Sequence, residues 1–208
     1  MAIAIFAVLA ALSAAALISL KNGARRRSAS AELYGAMLSS RNRAVARQKT
    51  QVIVISTSAD SSGYFGHYVF EDATTPNPKI WSSADLTTIL NTLDPANPAT
   101  APAPYKLTML DNLSLPTNPY LVSSDAWSGT AVPFPWAALA VGGKVSTTAG
   151  CTFCVSGRGA IGFLPNGRAI FNTSSATAGM VVIDPVNAAP PSAVAVSSSG
   201  FSQLVDKR

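Results

Sequence analysis

The first twenty residues, MAIAIFAVLAALSAAALISL, carry no charge, and the run ends at Lys21 and Arg25 to Arg27. A helix rises about 1.5 Å per residue, so such a run reaches roughly 30 Å, the hydrocarbon thickness of a bilayer. The pattern predicts one membrane crossing. A cleaved secretory signal is the alternative, with Ala14, Ala15 and Ala16 as small residues at a cleavage site, but such a signal opens with positive charge and here the apolar core comes first.

The remainder of the 208 residues suffices for one domain with a hydrophobic core. Only 12% of residues are charged, so the surface must be largely neutral and polar, as in an exported or filament-packed protein rather than a cytosolic enzyme. The net charge of +5 is uneven: residues 1–50 hold eight basic side chains against Glu32 alone, and the rest hold seven against nine acidic ones. Basic residues beside an apolar run first suit anionic headgroups. A nucleic-acid reader would show them on a folded surface with stacking aromatics, and beyond residue 50, before the terminal Lys207 and Arg208, there is only a scatter: Lys79, Lys106, Lys144, Arg158 and Arg168. Lys21 and Arg25 to Arg27 by themselves would orient the C-terminal part toward the cytoplasm, against the exported character of the composition.

After Arg27 a second helical section is predicted, capped by Ser28 or Ser30, with Leu33, Met37, Ser40 and Ala44 on one face and Tyr34, Leu38 and Val45 beside it. Gly23 and Gly35 are its weak points, where a bend or local melting is expected, and two unrelated helices joined at Gly23 are the alternative. From residue 51 the signals are mostly β: Gln51 to Ser56, Tyr64 to Phe70, Lys106 to Leu110 and Met180 to Ile183 are strand-length runs bounded by turn formers. Ser83 to Asp94 is an amphipathic helix on Leu86, Ile89, Leu90 and Leu93, stopped by Pro95. DPANPATAPAP reads as an extended surface loop, with further proline-punctuated connections at Leu115 to Pro119 and Val132 to Trp136. Two hairpins close the chain, Gly159 to Leu164 with Arg168 to Phe171 across Pro165-Asn166-Gly167, and Val194 to Val196 with Phe201 to Val205 across Ser198 to Gly200.

The stretch ELYGAMLSSRNRAVARQKTQVIVI, the later IGFLPNGRAIF and the closing AVAVSSSGFSQLV, behind an apolar N-terminal segment, resemble a minor pseudopilin of the GspH/FimT family. Glu32, Leu33, Ala36, Met37, Arg41, Ala44 and Val45 match the family's helix end, and Phe163, Pro165, Gly167 and Arg168 match its F-x-P-x-G-R hairpin. The resemblance covers both ends of the chain and leaves roughly 60–150 unmatched. The family's basic leader, its Phe and its fifth-position Glu are not in the sequence. Met1 to Ile5 resembles the residues that come directly after that Glu, so the pattern joins several residues inside a mature pilin.

Chemistry is sparsely represented. Cys151-x-x-Cys154 sits among turn and strand residues rather than at a helix N-terminus, which disfavours redox catalysis and leaves a local disulfide or two free thiols. Two cysteines and His67 fall short of a structural zinc site. His67 has no nucleophile turn to serve, Glu71 and Asp72 would point to opposite strand faces, and the glycines of 157–167 lack a phosphate-loop Lys-Ser/Thr. No enzyme activity, cofactor, metal or small-molecule substrate is expected.

The expected fold class is α+β: a long N-terminal helix, membrane part then amphipathic part, packed on an antiparallel β-rich head with Pro-rich insertions. Its divisions are 1–27, a hydrophobic helix with a basic stop; 28–50, an amphipathic helix; and 51–208, the head, with 95–104 as a Pro/Ala-rich loop. The resemblance implies a structural subunit of a type II secretion pseudopilus, or one that primes a type IV pilus. Its partners would be other pilin-type subunits, met through Ile3, Ile5, Phe6, Val8, Leu9, Leu12, Leu17, Ile18 and Leu20, and the membrane. Its location would be the bacterial inner membrane, single-pass, with the head in the periplasm. A DNA- or surface-binding pilin using Lys144, Arg158 and Arg168, and an anchored domain that never polymerises, are the alternatives.

Overall fold

Strand β1, Gln51–Ser56, is buried at all six positions, and that fixes the layering. QVIVIS has no solvent-facing alternate, so the strand must lie inside a sheet covered on both faces. The computed structural model describes residues 24, 27–74, 80–120, 151–173, 176, 178–183 and 192–206. There β1 is central in a five-stranded antiparallel sheet with β2 (Phe65–Asp72), β3 (Leu107–Leu115), β4 (Arg158–Phe163) and β5 (Ala169–Phe171), in the order β3-β2-β1-β4-β5. The register sets Ile53 against Val69 and Ile161, and Ile55 against His67 and Gly159. A second antiparallel sheet follows, β6 (Ala178–Ile183), β7 (Ser192–Ser197) and β8 (Ser202–Asp206) in sequence order.

Alternation along β1 sends its side chains into two cores. Ile53 and Ile55 join Ile161, Phe163 and Phe171, together with Val181, Ile183, Val194 and Val196 of the second sheet and Leu33, Met37 and Ala44 of the helical residues 27–47. Val52 and Val54 join Tyr68, Phe70 and Ala160 against Leu86, Ile89, Leu90 and Leu93, with Trp81 and Tyr105 completing the layer. The helix Ser83–Thr92 starts at a capping box, in which Asp85 N–H donates to Ser82 Oγ and Ser82 N–H to the Asp85 carboxylate.

The expected architecture of a long N-terminal helix over a β head is corrected here. The described residues are mostly antiparallel sheet, divided into two sheets, and the helices with both ends defined are short, ten residues at Ser83–Thr92 and three at Pro98–Thr100. The physical reason lies in β1: one helix can cover only one face of a strand that is apolar on both, so a second helix and a second sheet share the burial. The expected first half of the long helix, residues 1–23, lies outside the described residues.

The membrane placement is corrected as well. Among the described residues no helix is long and apolar enough to cross a membrane, which conflicts with the expected single-pass inner-membrane location; the apolar run 1–20 that carried that expectation lies outside the described residues. The helical residues 27–47 carry Glu32, Arg41, Arg43 and Arg47, charges that a spanning segment would have to bury. The proline-rich 94–104 segment departs from a plain extended loop: Asp94 and Asn97 pair, Pro98–Thr100 forms a short helical turn, and Ala103-Pro104 is cis.

Candidate assembly site

Three motif residues from separate stretches meet at one seam. Arg41, on the 27–47 helix, donates from Nε to the carbonyl of Gly167 at 3.2 Å. Gly167 holds φ +79 in the β4–β5 turn, a conformation open to glycine. A Cβ there would lie 3.4 Å from Val45 Cγ2 and 3.7 Å from the Arg41 guanidinium. The β7–β8 turn joins them, since a Cβ on Gly200 would fall 3.0 Å from Arg41 Nε and would collide with the Gly167 oxygen. Ala169 N–H also donates to Ser198 O, tying the two hairpins together.

The other motif residues divide between core and surface. Leu33, Met37, Ala44 and Phe163 are fully buried. Val45 is exposed, as are Phe201 and Leu204 on the second sheet. Pro165 is half-buried, and Arg168 is exposed, its backbone N–H donating to Asn166 Oδ1 and its carbonyl accepting from Leu164 N–H. Glu32 lines a cavity of about 380 Å³ with Ser28, Ala29, Leu113 and Leu115, where burial first and the nearby Asp111 second push its carboxyl up. Ile3, Ile5, Phe6, Val8, Leu9, Leu12, Leu17, Ile18, Leu20 and Lys144 lie outside the described residues, as does the Val132 to Trp136 connection.

The cysteines form the disulfide Cys151–Cys154. Cys151 and Phe153 are buried, and Phe153 meets Phe171 with ring centroids 5.3 Å apart, so the bridge staples a short loop into the core. His67 is also a core residue, 2% exposed, and desolvation pulls its imidazole down to about 4 against a weaker opposing pull from Asp111. Its Nδ1 has no hydrogen-bond partner among the described residues. Glu71 and Asp72 point apart: Glu71 accepts from Arg47, Gln51 and, at 3.8 Å, pairs with Lys49, while Asp72 accepts from Trp81 Nε1.

Arg158, grouped with Lys144 and Arg168 as a polymer contact, is committed elsewhere. Its Nη1 donates to Leu93 O at 2.9 Å, capping the C-terminal end of the Ser83 helix. It also faces Asp60. Burial pushes the Asp60 carboxyl up, but donation from Tyr68 and from the Tyr64 and Ser62 amides, with the Arg158 charge, holds it below the usual range. The Tyr68 hydroxyl is raised to about 12 by burial and by that same carboxylate.

Sequence reasoning missed this Asp60 hub and the Trp81–Asp72 pair; the Asp60-x-Ser62 spacing of an Asx turn was the available signal for the first. Comparison with protein-family models, curated proteins and solved structures gives no match. The pseudopilin resemblance therefore stands on the residues just placed.

Proposed function

We propose that this chain is a pilin-like structural subunit, acting by assembly rather than catalysis, of the GspH/FimT minor pseudopilin kind. It would serve a type II secretion pseudopilus or the priming of a type IV pilus. What supports the reading is the seam itself: Arg41, Val45 and Gly167, which carried the resemblance from two separate stretches, are one spatial unit. The seam holds a helix against two hairpin turns, leaving Val45 and Phe201 exposed for a neighbouring subunit. The apolar run 1–20 would supply the remaining subunit contacts.

The test is oxidative crosslinking of the full chain carrying Ala7→Cys and Ala14→Cys, in the cells that make it. A ladder of multimers is the expected result. Monomer alone, from a variant of normal abundance with its native disulfide formed, overturns the reading and leaves a domain that does not polymerise.

A further inference from the structure

Strand β6 ends the second sheet, so one of its edges has no neighbouring strand of that sheet. An uncovered edge offers its backbone groups to any other strand. Among the described residues two single pairings cover it, Tyr120 with Ile183 and Cys151 with Val181. The second is reinforced by the loop that the disulfide closes. Thr152 N–H donates to Met180 O at 3.0 Å, and Met180 N–H donates to Thr152 Oγ1 at 3.0 Å.

That loop is seated in a slot cut to its oxidised size. Phe153 is buried against Phe171, and glycines on two strands make room for it. A Cβ on Gly179 of β6 would fall 2.5 Å from the Phe171 ring and 2.6 Å from the Phe153 ring. A Cβ on Gly159 of β4 would fall within 2.9 Å of both sulfurs and of Phe153. Bonded sulfurs overlap inside their van der Waals radii and two thiols do not, so the reduced loop is the larger one. Overpacking of this kind works against the seated position.

The bridge is also poorly defended. Cys151 is 3% exposed, but Cys154 is only half-buried, at the solvent side of the loop. Loop closure holds a disulfide against reduction, and this one encloses only Thr152 and Phe153.

We infer that Cys151–Cys154 is a reversible redox latch: a dithiol reductant opens it, the 151–154 loop leaves β6, and the strand's edge is uncovered while both sheets stay folded. The donor's first thiolate attacks Cys154 Sγ and the Cys151 sulfur leaves, which makes a mixed disulfide at Cys154. The donor's second thiolate then attacks the donor sulfur of that mixed disulfide, and the Cys154 sulfur leaves. Two electrons pass to the cysteines, each leaving sulfur takes up a proton that a donor thiol gave, and the donor ends as a disulfide. The latch lies apart from the Arg41–Gly167 seam, so its failure would leave the assembly reading untouched.

The test is native-state hydrogen exchange, read by NMR on the ¹⁵N-labelled full chain in detergent, oxidised and after dithiothreitol, across low urea concentrations. Thiol alkylation and mass measurement report the bridge. The expected result is complete reduction without denaturant, with the Thr152 and Met180 amides exchanging at least about tenfold faster through an opening that urea does not promote. Amides of β1 and β7 should still exchange only through the urea-sensitive global route, and reoxidation should restore the first two. Cys151→Ser with Cys154→Ser should show the open behaviour without reductant; if that chain does not fold, the reduced native chain carries the test alone. A bridge that yields to dithiothreitol only in denaturant overturns the inference, as does reduction that unfolds both sheets. A reduced chain in which Thr152 and Met180 exchange only by global unfolding overturns it equally, and leaves the bridge a passive staple.

Discussion

Arg41 and Gly200 meet across one oxygen: the Gly167 carbonyl accepts Arg41 Nε at 3.2 Å and fills the space where a Gly200 Cβ would be. Gly200→Ala therefore suffers twice, from its φ of +80 and from collision with a backbone atom that cannot swing away. Gly63 is the control, with φ +81 and open space around the same atom. Gly63→Ala should cost about 1 kcal/mol, the left-handed penalty alone, and Gly200→Ala at least about 3 kcal/mol by urea denaturation. Equal costs would mean the seam is not tight.

The two arginines with carbonyl partners should separate from the one without. Arg41→Ala and Arg158→Ala each lose a charged hydrogen bond to a backbone carbonyl, at Gly167 and Leu93, and should cost about 1–2 kcal/mol. Arg168→Ala, exposed and without a side-chain bond among the described residues, should stay within about 0.5 kcal/mol. Thermal midpoints of the three variants check the ordering.

His67 predicts a pH window. Its folded pKa, about 4, lies below the ordinary 6.5, so between these values the unfolded chain binds the extra proton. Stability from this residue is fully present above about pH 6.5 and is lost as pH falls toward 4, in total on the order of 3 kcal/mol. His67→Gln should flatten that limb of the stability curve. A slope unchanged by the substitution would transfer the effect to the carboxylates.

The strand set was legible because turn chemistry and β-branched runs are local signals. Gln51 to Ser56 is a strand over those residues, and both C-terminal hairpins form around Asn166-Gly167 and Ser199-Gly200. The Ser83 helix was readable from Leu86, Ile89 and Leu90, though it stops at Thr92, before the expected Asp94, where Leu93 turns extended as its cap. Layering was not legible. QVIVIS announces two buried faces, but which elements cover each depends on pairings across more than a hundred residues, such as Ile53 with Ile161. Leu107–Leu115 runs past the expected Lys106 to Leu110 because its polar Asp111, Asn112 and Ser114 sit on an edge strand, where alternation with water is permitted. At the candidate site, Arg41 and Gly167 were visible as motif residues, whereas their meeting at one carbonyl was not, because it joins positions 126 residues apart.

Gly159 couples the disulfide to the core. A Cβ at this position would lie 2.8 Å from Cys154 Sγ, 2.9 Å from Cys151 Sγ and 2.8 Å from the Phe153 ring. The bridge closes a loop of only a few residues, so the chain-entropy argument gives it about 2 kcal/mol, and Cys151→Ser with Cys154→Ser should lower stability by that amount. Gly159→Ala in the disulfide-bonded chain should cost more, about 3 kcal/mol, because two linked sulfurs and a buried ring must move together. Without the bridge the two side chains can rotate apart, and the same Gly159→Ala should then cost about 1 kcal/mol less. Urea denaturation of the four combinations measures that coupling directly. A glycine penalty that is identical with and without the bridge would show that Phe153 alone, not the sulfurs, excludes a side chain at position 159.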